Sequence, residues 1–171
     1  KNNTNLIIGE KIKVKGYTPK KLLKDNLFEI EEGGKKGIVD RTGKLILEKV
    51  YDGIRLIDDN NISLLKDEKF GVYNISYQKL IEPKYFNELE PYDSAKYIAK
   101  DFFMYGIIDF NGNIILPFEY QSIQFWDSNS VILKKSDKYS IYNIENNNEL
   151  ISNINRISLI KDKDEKVIEI E

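Results

Sequence analysis

Apolar and polar residues alternate in short stretches along this chain, and charged or Asn-rich clusters separate the stretches. Alternation of that length predicts half-buried β-strands, and no segment carries a helical period. Ile62-Ser63-Leu64, Tyr97-Ile98-Ala99 and Val131-Ile132-Leu133 mark a first strand. A polar turn follows, as in Lys66-Asp67-Glu68-Lys69 and Lys135-Ser136-Asp137-Lys138. A second strand carries Ile38-Val39, Val72-Tyr73, Ile107-Ile108 or Ile141-Tyr142. Asp40-Arg41-Thr42-Gly43 and Asp109-Phe110-Asn111-Gly112 then predict tight turns, because Asp bonds its own backbone and Gly accepts positive φ. Asn146 stands in the slot of Gly43 and Gly112, where the left-handed region is expected. A third strand, Leu45-Ile46-Leu47 or Ile114-Ile115-Leu116, is expected to end at Pro83 and Pro117 in its unit, since Pro cannot donate to a ladder.

These stretches recur. Gly37, Gly71, Gly106 and Ser140 lie 34, 35 and 34 residues apart. Full units cover about residues 25–58, 59–93, 94–127 and 128–161, with partial units at 1–24 and 162–171. The chain therefore reads as one all-β domain of tandem antiparallel units of about 34 residues, with three short strands each. An open, solenoid-like array is preferred, in which each unit stacks on the next. The alternative is a closed five-bladed propeller-like ring, since five such units make about 171 residues. The chain begins at Lys1, inside a unit, so it is expected to be part of a larger protein.

Composition removes several functions. The chain has no Cys and no His, so disulfides, thiolate cages, Ser-His-Asp triads and His metal sites are absent. It has 26 Ile but only 2 Ala, which favours strands. No apolar run approaches a membrane-spanning length. The formal charge is −2, unlike a nucleic-acid binder. Residues 1–25 carry 7 Lys against 2 acids, which reads as a Lys-protected strand edge. No cofactor motif is present, and Asp58-Asp59-Asn60-Asn61 and Asp162-Lys163-Asp164-Glu165 read as solvated loops rather than Ca²⁺ sites. Asn2, Asn61 and Asn74 each begin a glycosylation sequon. Ile, Lys and Asn supply 66 of 171 residues, as AT-rich codons of a low-GC bacterium would. The compartment stays open.

The columns separate structure from candidate sites. Tyr17, Tyr51, Tyr85 and Tyr120 form one column, read as packing between neighbouring units. Trp126 shares a recurring apolar slot with Ile57, Tyr92 and Ile160, and reads as core. If one aromatic is a binding hot spot, it is this Trp. Phe102-Phe103-Met104 breaks the pattern, because the matching turns are polar. Burial against a neighbouring loop and exposure toward a partner both account for it. Phe102, Phe103, Met104 and Trp126 are thus the candidate partner contacts, and no catalytic, cofactor or metal residue is singled out.

Tyr105-Gly106-Ile107-Ile108-Asp109, a Gly turn, an Ile-rich strand, Pro117, Tyr120 and Ile123 resemble the bacterial WG repeat. Phe70 to Leu89 is the next closest match. Lys36 before Gly37, Glu48 at the Pro slot, Ser140 for Gly and the lack of Trp before any Gly are departures. The resemblance implies a non-enzymatic tandem-repeat module and carries over no catalytic residue. The expected function is protein interaction or scaffolding. A carbohydrate or cell-envelope binder is the alternative, and a carboxylate hydrolase a third.

Overall fold

The computed structural model describes residues 14–162 and 165–170. Four four-stranded antiparallel sheets follow one another, and no helix occurs among the described residues. The first sheet holds β1 (Lys21–Lys24), β2 (Leu27–Glu32), β3 (Lys35–Asp40) and β4 (Leu45–Tyr51). The second holds β5 (Gly53–Leu56), β6 (Asn61–Lys66), β7 (Lys69–Asn74) and β8 (Lys79–Phe86). The third holds β9 (Glu88–Pro91), β10 (Lys96–Asp101), β11 (Met104–Asp109) and β12 (Ile114–Tyr120). The fourth holds β13 (Ser122–Phe125), β14 (Ser130–Lys135), β15 (Lys138–Asn143) and β16 (Asn148–Ile154). A two-stranded sheet, β17 (Ile157–Asp162) and β18 (Glu165–Ile170), comes last.

Each sheet is a meander in which sequential strands pair. Single residues, Asp52, Asn87 and Gln121, join one sheet to the next. Each donates its backbone N–H at 2.8 Å to a carbonyl of the sheet it enters, from Leu65, Lys100 and Lys134 respectively. That bond turns the chain from the edge of one sheet into the first strand of the following one.

Three strands per unit are expected and four are found. The additional strand is the short one, β5, β9 or β13, carrying Ile54, Leu89 or Ile123. Pro83 and Pro117 do not end their strands either; β8 and β12 run through them. Both are edge strands with register shifts, where a missing N–H costs no ladder bond.

Strand alternation sends one face of each sheet to the sheet before and the other to the sheet after. Ile38, Val72 and Ile107 are fully buried at equivalent positions and face the next sheet. Each such side chain contributes about 1.5–3 kcal/mol by leaving water. Leu23, Ile38 and Leu47 pack against Ile54, Ile62, Leu64 and Tyr73 between the first two sheets. Val72 and Ile81 meet Leu89, Tyr97, Ala99 and Ile108 between the second and third. Ile107 and Leu116 meet Val131, Leu133 and Ile144 between the third and fourth. The outer face of the first sheet, with Phe28, Ile30 and Val39, is covered by Val14. The core is therefore a series of layers, and the described residues form an open array with no packing of the first sheet on the last. Gly9, Asn2 and Asp164 lie outside the described residues, as does the side chain of Ile160.

Asp and Asn fix the turns as their chemistry predicts. Asp40 Oδ1 accepts from the N–H groups of Thr42 and Lys44, at 2.8 and 3.0 Å. Asp109 Oδ1 accepts from Asn111 and Asn113 N–H, both at 2.8 Å. Burial alone would raise the Asp109 carboxyl, but the bonds from Asn113 and Asn111 outweigh it and hold it below its ordinary 3.8. A carboxyl lowered in the folded state stabilises above its unfolded pKa and stops doing so as pH falls through the folded value. Asp109→Asn should therefore lower Tm at neutral pH and flatten the acid limb below about pH 4, read from Tm against pH for both chains. The left-handed residue of the fourth turn is Asn147, with φ +53°, and not Asn146. That turn is one residue longer, since Ile141 pairs with Ile151 whereas Ile107 pairs with Leu116.

Candidate functional site

Two-residue hairpin tips join the second and third strands of every sheet, and all lie at one end of the array. Their residues need positive φ, which suits Gly33 and Gly34 at +58° and +79°. Asp67 and Glu68 follow at +49° and +61°, and Ser136 and Asp137 at +50° and +61°. The β10–β11 tip departs from this. Phe102 holds φ +51°, a conformation that costs a bulky L-residue about 1–2 kcal/mol. Phe102 and Phe103 are 73% and 83% exposed, and Met104 is 41% exposed. The tip is not folded back onto the protein.

The backbone beneath these rings is held firmly. Phe102 N–H donates to Asn87 Oδ1 at 3.0 Å. Lys69 donates to the same oxygen at 3.2 Å, and its ammonium lies 5.6 Å from the Phe102 ring centroid. This is one member of a repeated latch. Lys35 of the first sheet bonds Asp52, whose other oxygen accepts from Asp67 N–H at 2.9 Å. The Lys35 ammonium holds the Asp52 carboxyl below its ordinary value. Lys138 of the fourth sheet bonds Asn155 in the same way. Met104 occupies the column of Lys35, Lys69 and Lys138, at 35 residues from Lys69 and 34 from Lys138. No ammonium is available there, and Gln121 is left with the Asp137 N–H at 3.3 Å. Met104→Lys should restore the latch and raise Tm slightly, an increment that added salt removes.

Trp126 lies elsewhere. It is half-buried, in the same slot as Ile57 and Tyr92, and donates its backbone N–H to Ser130 at 3.1 Å. It follows β13 at the end of the array opposite the tips, so Phe102–Met104 and Trp126 do not form one surface. Phe125 beside it is half-exposed, with its ring centroid 5.3 Å from that of Tyr92. Burial, with Asp127 and Asp93 nearby, pushes the Tyr92 hydroxyl up to about 12. That hydroxyl donates to the Asp127 carbonyl at 3.0 Å.

The tyrosine column needs one correction. Tyr51 is buried and Tyr120 packs between sheets, but Tyr85 is 58% exposed. Phe86 takes the slot, since Phe70 pairs with Phe86 as Lys36 does with Tyr51 and Tyr105 with Tyr120. β8 carries one extra residue between Ile81 and Phe86, and the bulge at Pro83 pushes Tyr85 outward.

Asn61 and Asn74, two of the sequon residues, are each 1% exposed, so neither can accept a glycan in the folded chain. They form a buried network with Tyr97 between the second and third sheets, which turn and strand patterns did not reveal. Tyr97 hydroxyl donates to Asn61 Oδ1 at 2.7 Å and accepts from Asn74 Nδ2 at 2.9 Å. Asn74 Nδ2 also reaches Asn61 Oδ1 and the Ser94 carbonyl, both at 3.1 Å. Asp58 caps the loop, with Oδ1 accepting from Asn60 and Asn61 N–H at 2.7 and 2.9 Å. Among the described residues no cluster of acids is arranged to hold a metal ion.

No curated protein matches this chain. Among solved structures, KlHsv2 with loop 6CD replaced by a Gly-Ser linker aligns at 10% identity over 70% of this chain and 46% of that one, with a TM-score of 0.41. Kluyveromyces lactis Hsv2 aligns at 9% identity over 80% of this chain and 63% of that one, with a TM-score of 0.33. This chain thus spans less than two-thirds of either structure, and both overlaps are too low to place it in that fold. The family model described as WG containing repeat matches residues 37–70 and 105–139. Those segments run from β3 to the start of β7 and from β11 to the start of β15, so two of the repeats that build these stacked sheets match the WG containing repeat.

Proposed function

We propose that this chain is a non-catalytic interaction module whose β10–β11 tip docks a protein partner. WG repeats form a repeat module and are not a known enzyme family. The observation that carries the reading is the tip itself. Two Phe and a Met stand exposed where the equivalent turns carry Gly, Asp, Glu, Ser and Lys, and Phe102 holds a strained backbone while doing so. Strain and exposed apolar area both cost stability, and the free chain recovers neither. A partner with an apolar groove would cover both rings.

The test is a pull-down from soluble lysate and from envelope fragments, using wild type, Phe103→Asp and Ile114→Asp. Ile114 is 64% exposed at the opposite end, so its variant controls for general stickiness. A protein held by wild type and Ile114→Asp, and lost with Phe103→Asp, supports the reading. Retention that ignores Phe103 sinks it. Retention of envelope polysaccharide alone moves the function to carbohydrate binding.

A further inference from the structure

Among the described junctions the one between the second and third sheets carries a ring pair, and the position of Phe118 holds Lys84 in β8 and Ser152 in β16. Between the second and third sheets, Phe86 stacks on Phe118 with centroids 5.6 Å apart and planes 20° from parallel. Phe118 sits over Gly106, so closely that a Cβ there would meet its Cγ at 3.0 Å. One junction later the same positions read differently. Tyr120 replaces Phe86, as their matching pairs with Tyr105 and Phe70 show. Ser152 replaces Phe118, each two residues before the end of its strand at Ile154 or Tyr120. Ser140 replaces Gly106, 34 residues on. An apolar stack has become one tyrosine and two hydroxyls. Where the third junction places Ser152 in the position of Phe118, a cleft of about 560 Å³ is lined by Tyr120, Ser140 and Ser152, with Glu119, Glu149 and Lys138 around them.

We propose that this cleft is a saccharide-binding site. A pyranose presents an apolar C–H face and a rim of hydroxyls, and the cleft offers a partner for each. Tyr120 replaces the stacking surface that Phe86 gives Phe118. Ser140, Ser152 and Lys138 donate to sugar oxygens, and Glu149 accepts from sugar hydroxyls. The volume falls within the roughly 300–1,000 Å³ of ordinary small-ligand sites. An aromatic side chain from a peptide would fit the cleft by shape but would strip water from Ser140, Ser152 and Glu149 without replacing its hydrogen bonds. A simple ion is disfavoured because both signs are present, with Glu119 already bonded to Lys135 at 2.7 Å. The Tyr120 hydroxyl stays protonated at neutral pH, since burial and the nearby Glu119, Tyr142 and Glu149 raise it above 10.0. Tyr120 pairs with Tyr105 beside Met104, but no residue of the β10–β11 tip lines the cleft, and the proposal stands without that tip.

The experiment is an NMR titration of the whole chain with glucose, galactose, mannose, N-acetylglucosamine and their disaccharides. One sugar class should shift the Tyr120, Ser140 and Ser152 signals, saturating at millimolar concentration. The double variant Ser140→Gly/Ser152→Phe rebuilds the Phe118 arrangement and should bind at least about tenfold more weakly, with an equal or higher Tm. Glu149→Gln, on an exposed edge, should weaken binding with Tm unchanged, and Phe103→Asp should leave it intact. Silence across the sugar panel overturns the proposal. So does undiminished binding by the double variant with Glu149→Gln also without effect. Binding of N-acetylphenylalaninamide in place of any sugar overturns it in favour of a peptide pocket.

Discussion

Gly71→Ala is expected to destabilise the protein by about 3 kcal/mol, the upper end of what overpacking costs. A Cβ there would lie 2.4 Å from the Ile81 carbonyl oxygen, 2.7 Å from Pro83 N and 2.8 Å from Pro83 Cδ. All three belong to backbone or to a ring fixed in it, so no side chain can swing away. Thermal melts should show a Tm lower by roughly 6–12 °C for a chain of this size. Gly106→Ala should cost less, because a Cβ there meets one backbone atom under 3.0 Å, the Leu116 carbonyl oxygen at 2.8 Å, and the Phe118 ring at 3.0 Å can tilt. Gly53→Ala is the control, since Leu65 Cβ at 3.3 Å is its nearest neighbour. The aromatic-Gly pair is thus explained by contact: β7 and β8 approach too closely for any side chain. Ser140 already carries that Cβ, and beside it Leu150 and Ile151 of the edge strand are exposed where Leu116 is 3% exposed. A Gly71→Ala loss under about 1 kcal/mol would mean that β8 moves aside freely and that the close approach does not select Gly.

Tyr97→Ala should cost about 4 kcal/mol, since a fully buried ring leaves a cavity between two sheets. Tyr97→Phe separates the ring from its hydroxyl. It keeps the packing but removes a donor to Asn61 and an acceptor for Asn74. About 1–2 kcal/mol is expected, because the two Asn still bond each other at 3.1 Å. Denaturant unfolding of both variants gives the two numbers. A neutral Tyr97→Phe would show that the Asn pair satisfies itself and that the network adds nothing to the pairing of these sheets. The network occurs at one junction only among those described. Phe28, Ile62 and Val131 occupy the position of Tyr97 in the other sheets, and none can make those bonds.

The period, the strand type and the layer order were legible because spacing and alternation are local properties of a repeat. The short first strand of each sheet was not, although Ile54, Leu89 and Ile123 marked its column. Four residues with one inward side chain give too little alternation to separate strand from loop. Tyr85 was misplaced because a single residue added near Pro83 shifts everything after it, and Tyr beside Phe leaves the alignment ambiguous. The exposure of Phe102 and Phe103 could not be read from their identity, since a buried tip would carry the same residues. The network was invisible because Asn61 and Asn74 each look like loop residues, and their partner stands 36 and 23 positions away. The cleft was harder still. It is made by what Ser140 and Ser152 lack, which shows only once the register of every strand is known.

The single-residue joints at Asp52, Asn87 and Gln121 have a mechanical consequence. Every four-stranded sheet is one unbroken length of chain, and no strand crosses from one sheet into another. Tension applied through the termini therefore loads the sheets in series, and each can peel away without unthreading its neighbour. Force spectroscopy should record a sawtooth whose steps each release about 34 residues, roughly 12 nm of contour at about 3.6 Å per residue. The third and fourth sheets, whose joint lacks the Lys latch at Met104, should part at the lowest force.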